Sequence, residues 1–256
     1  MTSTTAPASF NAPFAPPRRL TGAGLIALGV GLNIPFAILG ATFDYPDILR
    51  QPTAEVLQRF HAGGPPLIAT WYAFLAAAIG FIPIAVLVHD SLAPGDGRRA
   101  PTALRLATVA GVGAGLVQAL GLIRWVFAVP VLARTFNDPA ATVAARASAL
   151  VAFEGLHQYA GVALGEHLGQ LGTAVWVLLI SATLRSHAEF PRWQAWLGLA
   201  SGLLILAGLV EGFATVISFN PGVLGLATPV GYVGFSVWMI AAGVSFLRRP
   251  SAAKRD

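Results

Sequence analysis

Apolar residues fall into six long runs, at residues 20–43, 67–88, 104–132, 159–184, 196–219 and 224–247. A hydrocarbon core about 30 Å thick takes roughly 20 apolar residues in helix, so each run is long enough to cross a bilayer. With no water inside the bilayer, backbone N–H and C=O groups must pair within their own segment, and six separate runs of this length satisfy that only as α-helices. The pattern therefore predicts an all-α polytopic membrane protein, with six transmembrane helices in one bundle over residues 20–247.

The breaks between the runs carry turn chemistry. Gly63, Gly64, Pro65 and Pro66 open the second run, and Pro94, Gly95, Asp96 and Gly97 precede the third. Asn220, Pro221 and Gly222 join the fifth run to the sixth so tightly that these two spans must be antiparallel neighbours. Two longer connections look helical. Residues 52–60 place Val56, Leu57 and Phe60 on one face, as an interfacial helix would. Asp138 and Pro139 read as the N-cap and first turn of an Ala-rich helix that leads towards the fourth run.

Composition agrees with the pattern. Charged residues make up 11% of the chain, against roughly 25% in soluble proteins. A surface so poor in charge is one solvated by lipid, and the mean hydropathy of +0.69 has the same meaning. The 256 residues include no Cys, so disulfides, thiolate metal sites and cysteine nucleophiles are excluded. The net charge of +5 lies in clusters between apolar runs, which is a membrane-orienting pattern and gives no nucleic-acid footprint.

With the amino terminus inside, eleven of the 16 Lys and Arg residues fall on the cytoplasmic side. Arg50, Arg59, Arg134 and Arg146 fall on the other, and Arg124 lies within a span. That bias predicts both termini in the cytoplasm. Residues 1–19 read as a disordered cytoplasmic tail and 248–256 as a basic one. The run after Arg18 and Arg19 is too long for a signal peptide and reads as an uncleaved first span. Trp193 and Trp196 are expected in the inner aromatic belt, and Trp71 and Tyr72 in the outer one.

Small residues mark close helix contacts. Gly161, Gly165, Gly169 and Gly172 form one stripe in the fourth run, while Gly111 and Gly115, Gly198 and Gly202, and Gly208 and Gly212 repeat the spacing in the third and fifth.

Ionisable residues inside a span each cost roughly 2.5 to 3.5 kcal/mol on insertion scales, so each is a candidate functional residue. On a straight helix Glu211 lies about 22 Å from the cytoplasmic start of its span, and Asn33 about 20 Å into the first. Glu154, His157, Gln158, Glu166 and His167 enter with the fourth run from the outer side, and Arg124 reaches that level late in the third. The expectation is one polar pocket opening to the outer face, binding a small ligand or protons. Arg124, Glu166, His167 and Glu211 would share it, with His157 and Glu154 at its mouth and Asn33 in the same half of the membrane.

Several chemistries are excluded or thinly supported. The one Lys is Lys254, outside every run, so retinal attachment is excluded; HExxH and GxSxG motifs are absent. Glu154 and His157 have the Glu-x-x-His spacing of carboxylate di-metal bundles, but without a second copy. His157 and His167 share one helix and cannot clamp a haem between them. A haem- or metal-binding redox subunit is one alternative to a ligand-binding transporter or sensor, and a structural accessory protein is another. No residue pattern points to catalysis, and the sequence fixes neither a cofactor nor an oligomeric state.

Residues 190–203, FPRWQAWLGLASGL, the segment GLIRWVFAVPVLA around Arg124, and the closing hairpin with Trp238 and Gly243 resemble a bacterial family of multi-pass membrane proteins known as a domain of unknown function. The resemblance implies a protein of the cell inner membrane. It carries over no catalytic residue, cofactor or partner beyond the lipid bilayer itself.

Overall fold

The computed structural model describes residues 17–94, 98–217 and 219–248, so the expected tails, apart from residues 17–19 and Arg248, and the turn at 95–97 lie outside it. It contains nine α-helices among the described residues, grouped into six rods long and apolar enough to cross a membrane, and no strand. The rods are α1 (Arg18–Phe43), α2 (Thr53–Leu92), α3 (Thr102–Phe127) with α4 (Val129–Asn137), α5 (Val143–Leu156) with α6 (Gly169–Leu184), α7 (Arg192–Gly208) with α8 (Val210–Ala214), and α9 (Ala227–Leu247). Six crossings put the start of α1 and the end of α9 at one end of the bundle. The other end carries residues 44–52, the α4 region and residues 215–217 and 219–226, and it holds the site.

Span boundaries differ from the apolar runs where the backbone breaks. Gly64, at φ +57°, separates Thr53–Gly63 from the span proper, since a left-handed φ suits glycine and Pro65 follows. Val56, Leu57 and Phe60 are buried on the bundle, so the amphipathic segment packs on protein along that face. The third run divides at Ala128, with Pro130 in the first turn of α4, where its missing N–H costs nothing. The helix after it begins at Val143 and not at Pro139. Its cap is Thr142, whose hydroxyl accepts from the Ala145 N–H at 3.1 Å, while Asp138 closes a turn onto the Ala140 N–H. The fifth run stops at Ala214, before the expected 219, so Glu211 sits three residues from the helix end.

Two buried clusters hold the bundle. At the terminal end, Trp176, Trp238, Phe235 and Phe81 meet edge to face or stacked among Leu and Ile. At the site end, Trp71 and Trp125 stack at 4.6 Å, and Phe43, Phe60 and Phe153 pack around them. Trp71 is thus a core residue, fully buried, and not part of an aromatic belt; Tyr72, Trp193 and Trp196 are exposed on the bundle surface.

The glycine stripe of the fourth rod faces α3. A Cβ at Gly121 would stand 2.7 Å from the Gly165 Cα, and one at Gly172 would stand 3.0 Å from the Ala110 carbonyl oxygen. Backbones this close gain van der Waals contact where lipid supplies no hydrophobic drive between helices. The α7–α9 hairpin packs as antiparallel neighbours, as its short connection requires.

Candidate functional site

The connection between α1 and α2 does not stay outside the bundle. Residues Asp47–Arg50 form one 3-10 turn that tucks inward, leaving Ile48 fully buried in the aromatic cluster. Burial of Ile48 fixes the turn, and the turn aims the next two residues at the fourth rod. The Leu49 carbonyl lies 3.1 Å from His157 Nε2. Arg50 Nη2 donates to Glu166 Oε2 at 2.8 Å and to Glu211 Oε1 at 3.3 Å, so one guanidinium ties the fourth and fifth rods together.

A local change of helix type makes this pairing possible. Between α5 and α6 the rod winds as a π-helix over His157–Leu168, with the Gly169 N–H reaching the Leu164 carbonyl. His157 and Glu166 are nine positions apart and would lie on roughly opposite faces at 100° per residue. At about 4.4 residues per turn, the winding of i→i+5 bonding, they return to within roughly 20° of one face. The adjacent residues Leu49 and Arg50 therefore reach both. π-Helical turns are rare and recur at functional sites.

Arg124 is buried, only 6% exposed, and makes no hydrogen bond or ion pair with a carboxylate among the described residues. Its Nη1 donates to the Gly121 carbonyl, its Nη2 lies 3.5 Å from His157 Nδ1, and the guanidinium sits 5.1 Å from the Trp125 ring centroid. Gly161 makes room for it, since a Cβ there would stand 2.5 Å from Nη2. Arg donates only, so His157 Nδ1 must accept, which places the imidazole proton on Nε2, facing the Leu49 carbonyl. Phe153 stacks on the His157 ring at 5.6 Å and fixes its plane.

The carboxylates thus pair with Arg50, a residue that charge counting assigned to a loop, and not with Arg124. His167 packs edge-on against Phe213 and faces Gly212, and it has no ion pair with either carboxylate among the described residues. Glu154 is exposed and accepts from the Thr53 hydroxyl at 3.1 Å. Asn33 lies elsewhere: it donates to the Gly29 carbonyl and to Ser236 Oγ in a shallow apolar groove between α1 and α9. With Glu154 turned to Thr53 and both His157 nitrogens engaged, the Glu-x-x-His pair does not converge. Among the described residues no three His, Asp or Glu side chains are placed to hold a metal.

A cavity of about 450 Å³ opens beside the Arg50 bridge, lined by Leu49, Arg50, His157, Gln158, Glu211 and Thr215, among others. Gln158 donates to Thr215 Oγ1 at 3.1 Å across it. Burial alone would lower the proton affinity of Arg50, but the charges and hydrogen bonds of Glu166 and Glu211 outweigh it and hold its pKa above the ordinary value. Tyr45 packs edge-on against Trp71, and burial, with the Glu166 charge adding to it, pushes its phenol up, so it stays a neutral hydroxyl. Glu166 Oε1 and Arg124 Nε are among eight side-chain polar atoms of the described residues that stay buried without a hydrogen-bond partner.

Arg50, Tyr45 and Thr215 escaped the sequence reading. The one signal was the pair Ile48 and Leu49 inside a short polar connection, since two apolar residues in a loop between spans suggest a segment folded back onto the bundle.

Comparison with other proteins adds a family and no activity. No curated protein and no solved structure matches the chain. The profile of the family described as domain of unknown function (DUF4386) matches residues 20–243, nearly the whole of the six-rod bundle, and the chain belongs to that family.

Proposed function

We propose that this integral membrane protein binds a small polar ligand, or protons, in the cavity at the site end of the bundle, in the manner of a transporter or sensor. One observation carries the reading: charged and polar side chains from the Asp47–Arg50 turn, the π-helical segment and α8 converge on one cavity. Ionisable groups are too costly in or near a bilayer to gather by chance. The buried, unpartnered Glu166 Oε1 and Arg124 Nε add to this, because internal pairing does not use up the polar capacity of the site. The distribution of Lys and Arg supports cytoplasmic termini and a cavity opening to the outer face, while residence in a bacterial inner membrane rests on the family resemblance alone.

The test is purification in mild detergent, followed by absorbance, metal analysis and mass spectrometry of co-purifying small molecules. A panel of small polar solutes is then screened for thermal stabilisation of the protein and of Glu211→Gln. The reading predicts a solute that stabilises the parent protein and acts much more weakly on Glu211→Gln. A haem spectrum or stoichiometric metal would favour a redox subunit instead. No bound molecule and no stabilising solute would leave a structural accessory role and overturn the proposal.

A further inference from the structure

The seat occupied by Arg50 points to the chemical class of ligand. Two carboxylates, on two different rods, converge on a single guanidinium nitrogen, at 2.8 and 3.3 Å. That guanidinium belongs to a four-residue turn in a connection, and its side chain is 34% exposed, so it is not locked into the core. Arg50 and Glu211 line the cavity, and the same Arg50 nitrogen holds Glu166. Glu166 Oε1 is buried with no donor to serve it among the described residues. The same cavity is lined by Gln158 and Thr215, whose side chains bring neutral oxygen acceptors to it.

We propose that Glu166 and Glu211 form a binding site for a small organic cation bearing N–H donors, a guanidinium or primary ammonium, and that Arg50 is a tethered stand-in which such a cation displaces. This deepens the ligand-binding reading above and rests on it. The formal charges of Arg50, Arg124, Glu166 and Glu211 cancel, so a second cation is accommodated only by an exchange in which Arg50 leaves the carboxylates. Two carboxylates match a guanidinium or ammonium because they offer several charged acceptors in a fixed geometry, whereas a quaternary ammonium has no hydrogen to donate. Arg124 makes no ion pair with either carboxylate among the described residues, and its head is engaged by the Gly121 carbonyl and lies over Trp125.

The experiment uses full-length protein in mild detergent and reads the thermal midpoint against millimolar methylguanidinium, ethylammonium, tetramethylammonium, acetate and glycerol. The variants are Arg50→Ala, Arg50→Gln as its bulkier substitute should Arg50→Ala not fold, and each of these combined with Glu166→Gln. Methylguanidinium or ethylammonium is expected to raise the midpoint of Arg50→Ala saturably, by about 2 to 4 °C. The half-effect concentration should be at least about tenfold below that of the parent protein, since no tethered guanidinium competes. Tetramethylammonium should be inert, and Glu166→Gln should abolish the effect. Equal action on parent and Arg50→Ala, or action that survives Glu166→Gln, overturns the proposal. Stabilisation by acetate or glycerol alone overturns the cation assignment while leaving a ligand pocket standing; inertness of all five probes on every variant overturns both.

Discussion

Arg50→Ala removes the bridge between the fourth and fifth rods, and a double-mutant cycle measures what each half of it contributes. A hydrogen bond to a charged partner adds roughly 1.5 to 3 kcal/mol net where it is sheltered, while exposed ion pairs add about 0.2 to 1. Arg50 and Glu166 are 34% and 22% exposed and 2.8 Å apart, so their coupling belongs between the two regimes, at about 1 to 2 kcal/mol. Glu211 is 38% exposed and 3.3 Å away, which places its coupling near the exposed limit, about 0.5 kcal/mol. Sign is as informative as size. In the Arg50→Ala background two carboxylates face one another with no cation between them, so Glu166→Gln, destabilising in the parent, becomes neutral or stabilising. Equilibrium unfolding by SDS titration in mixed micelles gives the four free energies of each cycle. Couplings within about 0.3 kcal/mol of zero for both pairs, the scatter expected of independent sites, would refute the bridge.

Helix packing and capping make separate predictions. Gly121→Ala drives a methyl against the Gly165 Cα and the Ala160 carbonyl oxygen, backbone atoms that cannot rotate aside, and should destabilise by about 1 to 3 kcal/mol. Gly113→Ala in the same helix meets nothing within 4 Å and should be neutral or stabilising by up to about 1 kcal/mol, so SDS titration that ranks the two alike would contradict the α3 contact. Thr142→Ala removes the cap of α5 and should cost about 1 kcal/mol locally, seen as faster amide exchange over residues 143–146; unchanged exchange there would contradict the cap.

The six crossings were legible because the bilayer imposes them: length and apolarity in each run suffice when backbone groups have no other partner. The α7–α9 hairpin followed from the short turn at Asn220 to Gly222, and the glycine stripe identified the face that meets α3. The site was harder to read for two physical reasons. A helical wheel assumes 100° per residue, and the π-helical winding of His157–Leu168 rotates Glu166 onto the face of His157, which no count of α-helical turns anticipates. Arg50 looked like an ordinary loop cation because nothing local says that Ile48 will bury itself among Phe60, Trp71 and Trp125 and carry its neighbour inward. Arg124, the cation that appeared to match the carboxylates, is instead held by Gly121 and faces Gly161. Asn33 faces Ser236 in the groove between α1 and α9, since position along a span says nothing about azimuth.

Because the chain has no Cys, single cysteines report on the α1–α2 connection without background. Maleimide labelling of Asp47→Cys, Ile48→Cys and Gln51→Cys, in membrane vesicles made permeable on both sides, asks directly whether this connection is seated in the bundle and carries Arg50 to the two carboxylates. Residues 47 and 51 are exposed and 48 is fully buried. The account predicts ready labelling at 47 and 51 and a rate at 48 at least about tenfold lower, the protection expected where labelling requires local opening. Equal rates at all three positions would contradict it.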